Sequence, residues 1–169
     1  LEETGQLPLN AALYLTLGIA KGLQAMHHDG YAHRDVKLEN ILLDDNHFTP
    51  VLCDFDFTIH VGVEPKQQPW KRCGSVPYCA PEVLSNMAHD PRLADCWSLG
   101  VCLYGMLVGR LPFDGKTNKE NGNSDIAKRI ITGDYVIPPS MTDDVCTILI
   151  KGMLEQDPAR RMSIDDIVS

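Results

Sequence analysis

The chain has 169 residues, 44% hydrophobic and 22% charged, with a formal net charge of −8. That is one domain's worth of an ordinary globular protein, long enough to bury a core. Its acidic balance argues against nucleic-acid binding, which wants a basic face, and is compatible with a basic peptide partner. No apolar run reaches the roughly 18 residues of a membrane span; the best candidate, residues 98–109, is too short and contains Ser and Gly. Pro8-Leu9-Asn10 offers a helix start. Ala12, Leu15, Ile19, Leu23 and Met26 follow at spacings of three and four, which predicts an amphipathic helix ending near His28-Asp29-Gly30. Residues 31–33 read as a short strand. Ile41-Leu42-Leu43 and Val51-Leu52-Cys53 flank a polar turn over 44–50 and read as a hairpin. Residues 57–72 have no sustained period and carry Gly, Pro and Gln, so a mobile loop is predicted. Residues 93–107 are apolar with scattered polar positions, the pattern of a helix buried on nearly all sides. A solvated loop is expected over 116–124, and helices over 125–132, 143–154 and 163–168. Thr142 or Ser140, and Ser163, are the candidate caps.

Six cysteines, Cys53, Cys73, Cys79, Cys96, Cys102 and Cys146, show no CxxC and no metal-ligand spacing. They read as reduced thiols of an intracellular protein, several of them buried as small hydrophobes. No signal peptide is visible. The densest chemistry lies in His33-Arg34-Asp35-Val36-Lys37-Leu38-Glu39-Asn40. A carboxylate, an ammonium and an amide stand two and three residues apart on one short loop. Phosphoryl transfer needs that set: a carboxylate for the attacking hydroxyl's proton, a cation for the phosphate and an oxygen ligand for a divalent ion.

Three further motifs follow in order: Asp54-Phe55, Ala80-Pro81-Glu82 and Asp95-Cys96-Trp97-Ser98-Leu99-Gly100. With these four motifs the chain resembles the C-terminal lobe of a eukaryotic protein kinase over essentially all of its residues. The resemblance implies a mainly α fold with a small β-hairpin at the catalytic edge. It implies Asp35 as catalytic base, Lys37 on the transferred phosphate, Asn40 and Asp54 as Mg²⁺ ligands (Mn²⁺ as a substitute), and Leu42 beneath the adenine of ATP. The pattern Asp-x-Lys resembles serine/threonine kinases. Residues 73–82 are similar to the calcium/calmodulin-dependent, AMP-activated and checkpoint kinase group. The implied partners are ATP and a protein bearing Ser or Thr, without nucleic acid or a membrane segment, in the cytoplasm or nucleus.

The resemblance assigns supporting roles as well. His33 and Phe55 would stack in an interlobe column while packing largely as core residues. Asp95 would bind the catalytic-loop backbone, and Glu82 and Arg161 would form a buried ion pair. Ser75 would touch Asp35 and Lys37, or else be an exposed turn serine. Cys53 would be a buried, inert thiol. Glu39 would attract a substrate arginine, although Lys128 stands where a second acid is usual. The usual phospho-acceptor is replaced by Lys71, so loop phosphorylation is not expected and another acid would pair with Arg34. One departure is plain: Asp56 replaces the family's glycine, at a point where glycine permits costly backbone angles. An extended chain at Phe55 would bring the carboxylates of Asp54 and Asp56 together.

The chain opens at Leu1, without the family's Gly-rich loop, strand lysine and helix glutamate, and residues 163–169 read as a helix cut short. The expectation is therefore a fragment of a longer kinase, or a truncated gene product, which alone neither binds ATP tightly nor transfers phosphate. The alternative function is a non-catalytic pseudokinase or truncated partner-binding module.

Overall fold

A computed structural model describes residues 5–44, 48–62, 70–114, 122–139, 141 and 144–169. Six helices and two two-stranded sheets are present among these residues. The helices are α1 (Leu9–His28), α2 (Pro81–Leu84), α3 (Pro91–Val108), α4 (Gly122–Thr132), α5 (Asp144–Met153) and α6 (Ile164–Val168). The strands are β1 (Tyr31–Ala32), β2 (Ile41–Leu43), β3 (Pro50–Leu52) and β4 (Ile59–His60). Single 3₁₀ turns cover Leu38–Asn40 and Val76–Tyr78. The architecture is mainly α with a hairpin at one edge, as expected.

Thirteen of the eighteen residues of α3 are buried, so this helix forms the centre of the lobe rather than a wall of it. It starts two residues earlier than the apolar pattern begins. There the Asp90 carboxylate accepts the Arg92 N–H at 3.0 Å and Pro91 occupies the first turn. It stops at Gly109, whose φ of 76° is the left-handed cap conformation. Leu99 and Leu103 are fully buried, each worth about 1.5–3 kcal/mol of transfer free energy. The buried face of α1 is Ala12, Thr16, Ile19, Ala20, Leu23 and His27, which packs against α3 and α6. Gly30 ends α1 with φ 79°, and a Cβ there would lie 2.9 Å from the Gly62 carbonyl carbon. That close crossing lets the Gly30 carbonyl accept the Val61 and Gly62 N–H groups, at 2.7 and 3.2 Å, and brings β4 beside β1.

The hairpin pairs Ile41 with Leu52, Leu42 with Val51 and Leu43 with Pro50. Its second strand thus lies one residue before the expected one, and the Cys53 N–H instead bonds the Asn40 carbonyl at 2.9 Å. The expected loop over 57–72 is corrected in part, because Ile59 and His60 pair antiparallel with Ala32 and Tyr31. Residues 63–69 of that loop lie outside the described residues, as do 45–47 of the hairpin turn. So do 116–121 of the expected solvated loop, whose last residues, 122–124, are instead the first turn of α4. The candidate caps Ser140 and Thr142 also fall outside. Ser163 caps α6 in a reciprocal capping box with Asp166. None of the six cysteines is in a disulfide, and four of them are buried. Among the described residues no helix is long and apolar enough to cross a membrane.

Candidate active site

The loop after β1 takes its shape from one buried carboxylate on α3. Asp95, 1% exposed, accepts the His33 N–H on Oδ2 and the Arg34 N–H on Oδ1, both at 2.8 Å. His27 Nε2 donates to the same Oδ2 at 2.9 Å. This residue was not singled out from the sequence, yet a polar side chain four positions after Leu23 on the buried face of α1 was the available signal. With Asp95 holding both N–H groups, Arg34 sits at φ 72°, a left-handed angle that turns the chain sharply. The buried His33 ring accepts the Asp35 N–H on Nδ1 and donates from Nε2 to the Cys53 carbonyl, each at 3.3 Å. One neutral tautomer satisfies both bonds.

That turn delivers Asp35 into a ring of donors. Lys37 Nζ donates to Oδ2 at 2.6 Å, and Asn40 Nδ2 donates to Oδ2 at 3.3 Å and to the Asp35 carbonyl at 2.9 Å. Ser75 donates to Oδ1 from its N–H at 3.1 Å and its hydroxyl at 3.3 Å, and its Oγ also accepts from Lys37 at 3.3 Å. The structure thus brings together four residues from two distant segments, and Ser75 makes the contact expected of it. Burial alone would raise the Asp35 carboxyl. The bond and charge of Lys37 and the two bonds from Ser75 outweigh it and hold the group below the usual aspartate value. Lys37 is raised, first by its hydrogen bond to Asp35. The carboxylate is only 4% exposed, so the loop is a filled, pre-set arrangement.

Asp54 and Leu42 stand at the exposed edge, Leu42 at 55% exposure on the outer strand of the hairpin. The Asn40 carbonyl accepts both the Cys53 N–H and the Cys53 thiol, which seats Asp54 beside the catalytic loop. Cys53 is therefore half-buried and hydrogen-bonded rather than fully enclosed. The Asn40 amide nitrogen is committed to Asp35, which leaves its side-chain oxygen unused by that contact, while the Asp54 carboxylate is exposed. Two hard oxygen donors suit Mg²⁺, which keeps several waters and takes its other ligands from phosphate. Among the described residues no three His, Cys, Asp or Glu side chains form a self-sufficient metal cage.

Several expectations are corrected here. The left-handed residue is Asp54, at φ 66°, and not Asp56, so the missing glycine strains nothing. The chain at Phe55 is no strand: the Thr58 N–H bonds the Phe55 carbonyl at 3.0 Å and closes a turn, while the Asp56 N–H reaches Asp54 Oδ1 at 3.5 Å. The rule that alternate residues share a face therefore does not apply, and nothing supports a paired Asp54–Asp56 carboxylate site. Phe55 packs edge-on against His33, with ring centroids 5.2 Å apart, but is 53% exposed and so is not a core residue. Among the described residues no acid meets Arg34; its guanidinium donates to the main-chain carbonyl of Lys71. Glu39 is exposed. Away from these residues, Glu82 and Arg161 form the expected bidentate buried pair at 2.6 and 2.9 Å.

The model for the protein kinase domain matches residues 1–169. Serine/threonine-protein kinase SIK1 of Mus musculus is 37% identical over 167 residues, covering 99% of this chain and 20% of its own length. The serine/threonine-protein kinase SIK3 homolog of Danio rerio is 39% identical over 141 residues, 83% of this chain and 11% of its own length. Serine/threonine-protein kinase SAPK4 of Oryza sativa subsp. japonica is 35% identical over 169 residues, 99% of this chain and 46% of its own length. The chain thus spans between 11% and 46% of the length of these relatives. By motif order, by lobe architecture and by these matches, the chain belongs to the protein kinase domain family.

Proposed function

We propose that this chain carries the catalytic-loop, metal-binding and activation segments of a serine/threonine protein kinase, which transfers the γ-phosphate of ATP to a protein hydroxyl. One observation carries the reading most directly: the Asp35 carboxylate is held ionised between the Lys37 ammonium at 2.6 Å and the Ser75 donors at 3.1 and 3.3 Å. Asp35 takes up the proton of the attacking hydroxyl, and Lys37 meets the charge that develops on the phosphoryl oxygens. Asn40 and Asp54 would hold Mg²⁺, with Mn²⁺ able to substitute; the ion supplies neutralisation of phosphate charge when bound. Leu42, apolar and open, offers a surface for the adenine. Asp95 and His27 keep the loop in shape. Residues outside this sequence complete the nucleotide pocket in this proposal, so ATP should bind tightly only to the full-length protein.

The test is to incubate full-length protein with ATP, Mg²⁺ and a mixed peptide pool, and to locate new phosphate by mass spectrometry. Product on Ser or Thr is expected. Product on Tyr alone would overturn the serine/threonine assignment, and ATP binding without product would favour a pseudokinase. The ordinary angle at Asp56 removes the backbone argument for that rival.

The pH dependence follows from the pair. Asp35 lies below its ordinary 3.8, so its contribution to stability is present above that value and is lost as pH falls through the lowered one. Lys37 lies above its ordinary 10.5, so its contribution is present below that value and is lost as pH rises through the raised one. Neither group changes charge near neutrality. Turnover measured between about pH 6 and 9 should show no ionisation assignable to this pair. A neutral-range ionisation that moves when Lys37 is replaced by Met would contradict the geometry.

A further inference from the structure

Residues 70–79 are attached to the catalytic loop through acceptors that no modifying enzyme has to supply. Arg34, whose left-handed backbone aims it across the loop, donates its guanidinium to the Lys71 carbonyl. Trp70 Nε1–H donates to the His89 carbonyl at 3.1 Å. His89 is itself fixed, 4% exposed, with Nδ1 2.7 Å from the Met87 carbonyl oxygen. Between these ties and Ser75 the backbone closes directly on the loop. Gly74 has φ 83°, and a Cβ there would lie 2.7 Å from the Arg34 carbonyl oxygen, so only glycine allows the approach. Ser75 then binds Asp35 through its N–H and its hydroxyl.

The same segment offers no free hydroxyl to modify. Between Asp54 and Glu82 the sequence holds three, on Thr58, Ser75 and Tyr78. Among the described residues the Thr58 hydroxyl is buried without a partner, the Ser75 hydroxyl is spent on Asp35, and Tyr78 is 5% exposed. The exposed side chain beside the Arg34 tie is the amine of Lys71, which accepts no phosphate in a hydroxyl transfer. Arg34 is a single guanidinium, and its bond is to a main-chain carbonyl.

We propose, resting on the kinase reading above, that the activation segment of this protein is held in its working position by Arg34 and Trp70 through main-chain carbonyls, so that phosphoryl transfer requires no covalent modification of the segment. The test compares full-length protein before and after phosphatase, reading turnover, mapped phosphate and acrylamide quenching of Trp70. The Trp70 signal is the difference between the native protein and a Trp70→Phe variant, against which the fully buried Trp97 is constant. Turnover should change by less than about twofold, with no phosphate found over 54–82 and the quenching unaltered. A loss of about tenfold or more on phosphatase treatment would overturn the proposal. If neither form transfers phosphate, the kinase reading fails, and the Trp70 quenching still decides the tether: equal quenching supports it and a rise overturns it. Arg34→Met should raise the quenching and lower turnover on the order of tenfold, the scale of one charge-assisted hydrogen bond. An Arg34→Met protein unchanged in both would also overturn it.

Discussion

Replacing Asp35 with Asn in the full-length protein is expected to lower turnover by about 10²–10⁴-fold, the range for loss of a positioned base. The amide is nearly the same size and can still accept from Ser75, so the geometry around Oδ1 survives. What disappears is the proton acceptor and the negative partner of Lys37, 2.6 Å away. Because Lys37 is 19% exposed, water screens part of that loss, and the cost in stability should be about 1 kcal/mol. Turnover and the melting temperature therefore separate: a large fall in the first beside a small one in the second identifies a reacting group. A variant with near-normal turnover would remove Asp35 from the mechanism.

The largest stability effect is expected far from the chemistry. Arg161 donates to both Glu82 oxygens, to the Leu93 carbonyl at 3.0 Å and to the Glu155 carbonyl at 2.9 Å, and its guanidinium lies 5.0 Å from the Trp97 ring centre. The charged end is closed off from water, and Glu82 is 3% exposed. Arg161→Met would leave a buried carboxylate without its donors and take one donor from each of two carbonyls, which costs about 3–5 kcal/mol. Lysine should rescue little, since one ammonium cannot reproduce the planar fork that meets both oxygens and stacks on the indole. Removing both charges, as Glu82→Leu with Arg161→Met, should recover much of the loss, because no charge is then stranded. Denaturant unfolding of the three variants reads the order directly. A double variant as unstable as Arg161→Met alone would contradict this, because removing the stranded charge would then recover nothing.

Much of the site was legible because it is contiguous. Asp35, Lys37 and Asn40 share one eight-residue loop, and their residue types announce the chemistry without any tertiary information. The helix α3 was equally plain, since a run apolar on every side has nowhere to go but the centre. Features resting on main-chain partners left no such trace. The Lys71 carbonyl that receives Arg34 is present in any residue, so the sequence pointed to a missing acid instead. Strand β4 is two residues long and pairs with a strand 28 positions earlier, a match decided by the Gly30–Gly62 crossing and not by periodicity. The substitution of Asp56 for glycine looked severe by residue type. It is mild because the turn places its left-handed angle at Asp54, where a short polar side chain tolerates it.

The claim that Asp35, Lys37, Asn40 and Asp54 form one phosphate-transfer site is tested most directly by titrating transfer rate against Mg²⁺ for the native full-length protein and its Asp54→Asn variant, at fixed ATP and peptide. Replacing the charged member of the two protein oxygen ligands with a neutral amide should shift the half-maximal metal concentration upward by at least roughly tenfold, since even supporting residues around metal sites cost that much. The maximum should fall as well, because the phosphate is then less well fixed against Lys37. Superimposable titrations would place Asp54 outside the site and contradict the account.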